Sequence, residues 1–130
     1  MVHLVADTHA IVWLLAAPRK LGPEAARAFD AADHGRSLCL VPAIVLVEVA
    51  LLRERGRVKI GPADLLRALR GRAGYAVLAL DGDQALEFGA LVGVKDPMDR
   101  MLLAAARVAR ARLISGDPVF DGFEVERVWA

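Results

Sequence analysis

One cysteine, Cys39, is all the chain has, so no internal disulfide can staple it, and its place in an apolar run fits a reducing, cytoplasmic setting. Net charge is almost absent as well: 17 lysines and arginines against 16 acids leave +1. Binding of nucleic acid by bulk charge is thereby excluded, and any such binding needs a local patch. Aromatic residues make up 5% of the chain, too few for an extended platform on which bases stack. Long apolar runs are missing too. The longest, Leu38 to Leu52, is broken by Pro42 and Glu48 and falls short of the roughly 20 residues a membrane-spanning helix needs. Residues 1–17 lack a basic lead-in and carry Asp7 and two histidines, so a signal peptide is not expected. These absences lead to the expectation of a soluble protein with no membrane partner.

What is present suffices for one packed domain. The 130 residues are 56% apolar and 25% charged, and 24 of them are alanine, which favours helices. Short apolar segments alternate with amphipathic ones. Strands are predicted at Val2–Ala6, Ser37–Val41, Tyr75–Leu80, Arg112–Ser115 and Val125–Trp129. Helices are predicted at Thr8–Ala17, from Pro23 to about Ala32, at Ala43–Arg55 and Pro62–Arg72, and near Asp83–Val92. A last, long helix runs from Pro97 to about Arg110, with Asp96 as its cap. No internal repeat, low-complexity linker or shift of composition divides the chain. The expectation is a single α/β domain over residues 1–130, its central parallel sheet flanked by helices on both faces.

Four acids stand where such a fold makes sites. Asp7 ends the first strand and Asp117 follows a later one, and open parallel sheets bind ligands beyond the carboxyl ends of their strands. Asp99 falls in the first turn of a helix whose positive end can point into the same crevice. Each also has an ordinary explanation. Asp7 and Asp96 can cap helices, Asp117-Pro118 is a common turn pair, and acids are favoured in a first helical turn.

Glu48 is harder to explain away. Ile44 and Leu52 lie four residues to either side, so no local ion pair neutralises it. A carboxylate in so apolar a segment needs a tertiary partner, either an arginine such as Arg100 or a metal ion. Two carboxylates about 5 Å apart repel by about 3 kcal/mol at an effective dielectric near 20, so converging acids require a cation or protonation. An all-oxygen donor set with little histidine suits Mg²⁺ or Mn²⁺ rather than zinc. Spacing along the chain leaves open whether the acids converge.

At these residues the sequence resembles the PIN-domain ribonucleases, specifically the VapC toxins of bacterial and archaeal toxin–antitoxin pairs. Asp7-Thr8-His9-Ala10 with Trp13 resembles the family's opening strand–helix motif, and Glu48 falls at its acid on an apolar helix. Asp96-Pro97-Met98-Asp99-Arg100 resembles the hallmark Asp-Pro-Phe-Asp-Arg segment, Ser115-Gly116-Asp117 the late Thr-x-Asp, and Phe120 to Trp129 the closing segment. The order and separation of the motifs, nearly end to end, make the resemblance specific. Departures from the pattern are Lys95 in place of a histidine before Asp-Pro, Leu52 in place of a lysine after the helical glutamate, and Val47 in place of an aromatic before it.

The resemblance implies a PIN-like domain with a metal site made by Asp7, Glu48, Asp99 and Asp117, hydroxyl partners at Thr8 and Ser115, and Asp96 as a peripheral acid. It implies Mg²⁺- or Mn²⁺-dependent hydrolysis of RNA, leaving a 5′-phosphate and a 3′-hydroxyl, with His9 packing or orienting the loop rather than acting as a base. It also implies a homodimer and a cognate antitoxin whose tail covers the acidic groove. The apolar helices around Ala43–Leu52 and Leu65–Leu69 are available either for those contacts or for the core.

Because acids repel RNA, positive charge must flank them. Of the 17 basic residues 14 are arginines, suited to bidentate phosphate contacts. Arg53, Arg55, Arg57 and Lys59 form the densest run, with Lys95 and Arg100 beside the acids.

Two other readings compete. A catalytically silent PIN-like binding module has no use for four mutually repelling acids. A haloacid-type phosphatase needs a second aspartate two residues after the first, where Asp7 is followed by Thr8 and His9; a receiver needs an acid pair before Asp7, which is missing.

Overall fold

A computed structural model describes all of residues 1–130. The strands are β1 (Val2–Ala6), β2 (Ser37–Pro42), β3 (Tyr75–Leu78), β4 (Arg112–Ile114) and β5 (Arg127–Val128). The helices are α1 (Thr8–Ala16), α2 (Pro23–Asp33), α3 (Ala43–Glu54), α4 (Pro62–Arg70), α5 (Gly82–Ala90) and α6 (Pro97–Val108).

Each helix begins at a capping aspartate or a proline. Asp7, Asp81 and Asp96 cap α1, α5 and α6, while Pro23, Pro62 and Pro97 occupy the first position of α2, α4 and α6. Pro42 ends β2 and leads straight into α3, with no intervening loop. Beyond α2 and α3 the chain reverses through Gly35 and Gly56, at φ of 73° and 69°, a region glycine enters without steric cost.

All pairings are parallel and the strand order is β3-β2-β1-β4-β5. From β1 the chain crosses to β2 through α1 and α2, then to β3 through α3 and α4. It returns to the other side of β1 through α5 and α6. Parallel crossovers are right-handed as a rule, so crossovers running in opposite directions from β1 place helices on both faces of the sheet. The predicted α/β class is therefore the observed one.

Two features differ from the sequence reading. Single 3-10 turns follow Pro18 and Pro118, where only punctuation was expected. Three strands are also shorter than predicted, β4 by the single residue Ser115. The Ala79 carbonyl accepts from Gln84 Nε2 at 2.7 Å, which diverts the chain after Leu78 into the start of α5. The pairing of β5 is limited to Leu113 and Ile114 of the three-residue β4.

A cluster of 25 buried residues forms the core. Leu65 and Leu69 lie in it, so that stripe is core and not a contact surface. On α3 the roles divide: Ile44, Val45, Val49 and Leu52 face inward, while Val47 and Leu51 are exposed. Cys39 is buried, and desolvation pushes its thiol up to about 12, leaving it unreactive at neutral pH. No helix is long and apolar enough to cross a membrane.

Candidate functional site

The connections turn back between β1 and β4, and open parallel sheets place their binding crevice beyond the carboxyl ends of such a strand pair. A cleft of about 630 Å³ opens there. Asp7 enters it from the end of β1, Asp117 from the loop after β4, Glu48 from α3, and Asp96 and Asp99 from the start of α6. Five carboxylates far apart in sequence thus share one cavity.

The backbone fixes three of them through one oxygen each. Asp7 Oδ1 accepts from the Ala10 amide at 2.8 Å, while its own N–H donates to the Ile114 carbonyl at 3.0 Å and ties β1 to β4. Asp96 Oδ1 accepts from the amides of Met98 and Asp99, at 2.8 and 3.0 Å. Asp117 Oδ1 accepts from Val119 N at 3.0 Å, and its N–H donates to Ser115 Oγ at 3.1 Å. Capping and presentation to the cleft are therefore not alternatives: one oxygen holds the backbone while the carboxyl still lines the cavity.

Electrostatics show that the acids sense one another. Burial, then the charges of Asp96, Asp117, Glu48 and Asp7, push the Asp99 carboxyl up to about 6. The N-terminus of α6 acts in the opposite sense, by about 0.3–1 kcal/mol, and is outweighed. Burial also raises Asp7, partly offset by the Ser115 hydroxyl and the Ala10 amide.

The donor chemistry fits a hard divalent cation. The carboxylates offer only oxygen, as Mg²⁺ and Mn²⁺ prefer. Thr8, also in the cleft, has its Oγ1 buried without a hydrogen-bond partner, and a buried polar atom left unpaired points to a water or ion among its neighbours. No three acidic, histidine or cysteine groups are drawn into a closed metal-binding cluster.

Other sequence expectations are redistributed. Glu48 has no ion-pair partner, and Arg100, suggested for that role and for contact with RNA, turns away. Its Nε donates to the Phe88 carbonyl at 2.8 Å and its guanidinium lies 4.2 Å from the Phe88 ring centre, so it fastens α6 to α5. Arg53, Arg55 and Lys95 are exposed but do not line the cleft. Arg53 lies against Gly61 instead, and its charge helps hold Asp64 low, after the Gly61 amide.

Sequence reasoning missed Lys20, the only lysine or arginine lining the cleft. It reaches the site from the 3-10 turn after α1, which hydrophobic periodicity does not reveal. Trp129, noted only as part of a closing segment, lines the cleft as well. His9 sits against Trp13, ring centres 5.8 Å apart, in keeping with a packing role.

Fold and site together define a doubly wound parallel α/β domain with a carboxylate-lined cleft at its switch point. The chain belongs to the PIN-domain family, whose family model matches residues 4–125. No curated protein matches it in sequence. Among solved structures it is similar to VapBC2 from Rickettsia felis bound to a promoter DNA fragment, with a TM-score of 0.73 and 13% identity over 98% of this chain and 99% of that one. It is similar to Mycobacterium tuberculosis VapC20, described as a sarcin–ricin loop cleaving toxin, with a TM-score of 0.68 and 16% identity over 98% and 99%. A toxin–antitoxin complex from Klebsiella pneumoniae matches with a TM-score of 0.63 and 20% identity over 93% and 92%. At these identities the likeness is one of fold.

Proposed function

We propose that this PIN-domain protein is a Mg²⁺- or Mn²⁺-dependent endoribonuclease and the toxin of a VapBC-type toxin–antitoxin pair. The observation that carries the reading is the convergence of five carboxylates on one cleft, with Asp99 pushed up to about 6 by burial and by the other four. A fold has no structural use for such repulsion, whereas a cation site requires it.

In this reading Asp7, Glu48, Asp99 and Asp117 hold the cation. When bound, it supplies Lewis acidity toward the scissile phosphate and an activated water. Ser115 positions Asp117 through the Asp117 N–H, Asp96 fixes the first turn of α6 and so the place of Asp99, and Thr8 offers an unpaired hydroxyl. The exposed run of Arg53, Arg55, Arg57 and Lys59, with Lys95, serves as a rim for the RNA backbone outside the acidic cavity. Arg100 has no part in that rim.

The likeness to toxin–antitoxin assemblies supports a cognate antitoxin as partner, and the resemblance to VapC toxins a second copy of the chain. Val47 and Leu51 on α3, with Leu86 and Val92 around α5, leave apolar surface exposed for such contacts.

The test is cleavage of a mixed RNA pool by purified protein, with Mg²⁺, with Mn²⁺ and with EDTA, beside Asp99→Asn. Cutting that needs the cation and disappears in the variant is expected. Equal cutting in EDTA and by the variant would remove the acids from the mechanism.

A further inference from the structure

We propose that one wall of the cleft, built from Trp13, Trp129, His9 and Lys20, is a subsite for single-stranded RNA in which a base stacks on the indoles and the adjoining phosphate pairs with Lys20. The proposal rests on the ribonuclease reading above and adds to it how this chain holds a nucleotide beside its acids.

Three rings are contiguous here. Trp13 lies 5.7 Å from Trp129 and 5.8 Å from His9, centre to centre, in tilted arrangements. The Lys20 ammonium stands 5.7 Å from the centre of the Trp13 ring. All four side chains line the same cavity as the carboxylates. Lys20 is exposed and has no ion-pair partner, although five acids share its cavity.

The rings come from opposite ends of the chain and are held deliberately. The Trp129 carbonyl accepts from the Ala25 amide at 3.0 Å, at the start of α2. Its indole lies over Gly116, where an added Cβ would come within 3.0 Å of the ring. Gly116 precedes Asp117, so the indole is placed next to a cleft acid. Both indoles pack in part against the core and keep the rest of their surface at the cavity.

An acidic cavity with an aromatic, singly cationic wall suits a ligand with a flat apolar face and a flanking negative charge. A nucleotide has both, and base stacking on an indole tolerates any base. Two indoles, one imidazole and one lysine amount to a local subsite, in keeping with the low aromatic content of the chain as a whole.

The test uses the fact that Trp13 and Trp129 are the only tryptophans, so intrinsic emission reports this wall alone. The full chain carrying Asp99→Asn is titrated with a short dye-labelled single-stranded RNA, following tryptophan emission and dye anisotropy together. A matching oligomer with abasic positions retains the phosphates without the bases. Emission is expected to be quenched as RNA binds. Adding Trp129→Leu is expected to weaken binding about tenfold for the base-bearing RNA and hardly at all for the abasic one. Lys20→Ala is expected to weaken both and to reduce the salt slope by about 0.7, the share of one phosphate on a single strand. Lys20→Arg restores binding.

Should Trp129→Leu fail to fold by circular dichroism, Lys20, on the surface, carries the test. RNA binding with unchanged emission and unaltered affinity in the variants would overturn the subsite while leaving wild-type cleavage, and the ribonuclease reading, intact. Absence of any cation-dependent cleavage by the wild type would overturn both.

Discussion

At Asp99, burial and four neighbouring acids act in the same direction, and the sign of the consequence for stability follows. A carboxyl whose folded-state pKa lies near 6 rather than 3.8 holds its proton more tightly in the folded than in the unfolded chain. Stability is therefore fully present below about pH 4 and is lost as pH rises through about 6, and the raised Asp7 adds in the same sense. Asp64 and Asp121, held low by the Gly61 amide and by Arg127, titrate below that window. The melting temperature of the cation-free protein is expected to fall between about pH 5 and about pH 7, and Asp99→Asn is expected to flatten the fall. A profile unaltered by the substitution would contradict this. If Asp99 holds the cation as proposed, the same variant is expected to lose RNA cleavage by about a hundredfold or more, measured by initial rates on a single RNA. At this scale Asp7, Asp99 and Asp117 were legible because each stood at the end of an element, and Glu48 because it interrupts an apolar helix. The direction of the Arg100 side chain was not legible, because the Phe88 carbonyl it binds belongs to another helix. Glu48 shows the same limit in reverse: its lack of a local partner was readable, but only the fold reveals that its neighbours are more acids.

Helix caps divide the aspartates into those that only fold the chain and those that do more. Asp81 Oδ1 accepts from Gln84 N at 3.0 Å, and Asp81 does not line the cleft. Asp81→Ala is expected to cost about 1 kcal/mol in chemical denaturation with the cleavage rate per folded molecule unchanged. Asp96→Asn, in contrast, keeps a capping oxygen for α6 and removes a charge next to Asp99. It is expected to leave stability unchanged or raised at neutral pH, checked by the same denaturation. Gly22 is the element-level constraint on the cleft wall: an added Cβ would lie 2.3 Å from the Trp129 carbonyl oxygen. Since that clash is with backbone, Gly22→Ala is expected to displace the closing segment and cost about 1–3 kcal/mol, with a shift in tryptophan emission. Helix starts were legible because an aspartate cap or a proline marks each one. The 3-10 turn carrying Lys20 was not, because three residues after Pro18 show no periodicity to read.

The whole molecule adds what no segment contains, which is the strand order. Alternating strands and helices announced a parallel sheet, but only the order β3-β2-β1-β4-β5 puts the ends of β1 and β4 side by side. Five acids, drawn from opposite ends of the sequence and from two helices, meet there in a chain whose net charge is only +1. Trp129 reaches the same place by a route invisible in sequence, through β5 pairing with β4. On the proposed function this convergence holds a divalent cation. That role is tested most directly by calorimetric titration of the purified chain with Mn²⁺ at about pH 7 and about pH 5, for wild type and Asp99→Asn. Binding by the wild type is expected to weaken at the lower pH, as Asp99 takes up its proton, and to be lost in the variant. No binding at neutral pH, or equal binding by the variant, would contradict it.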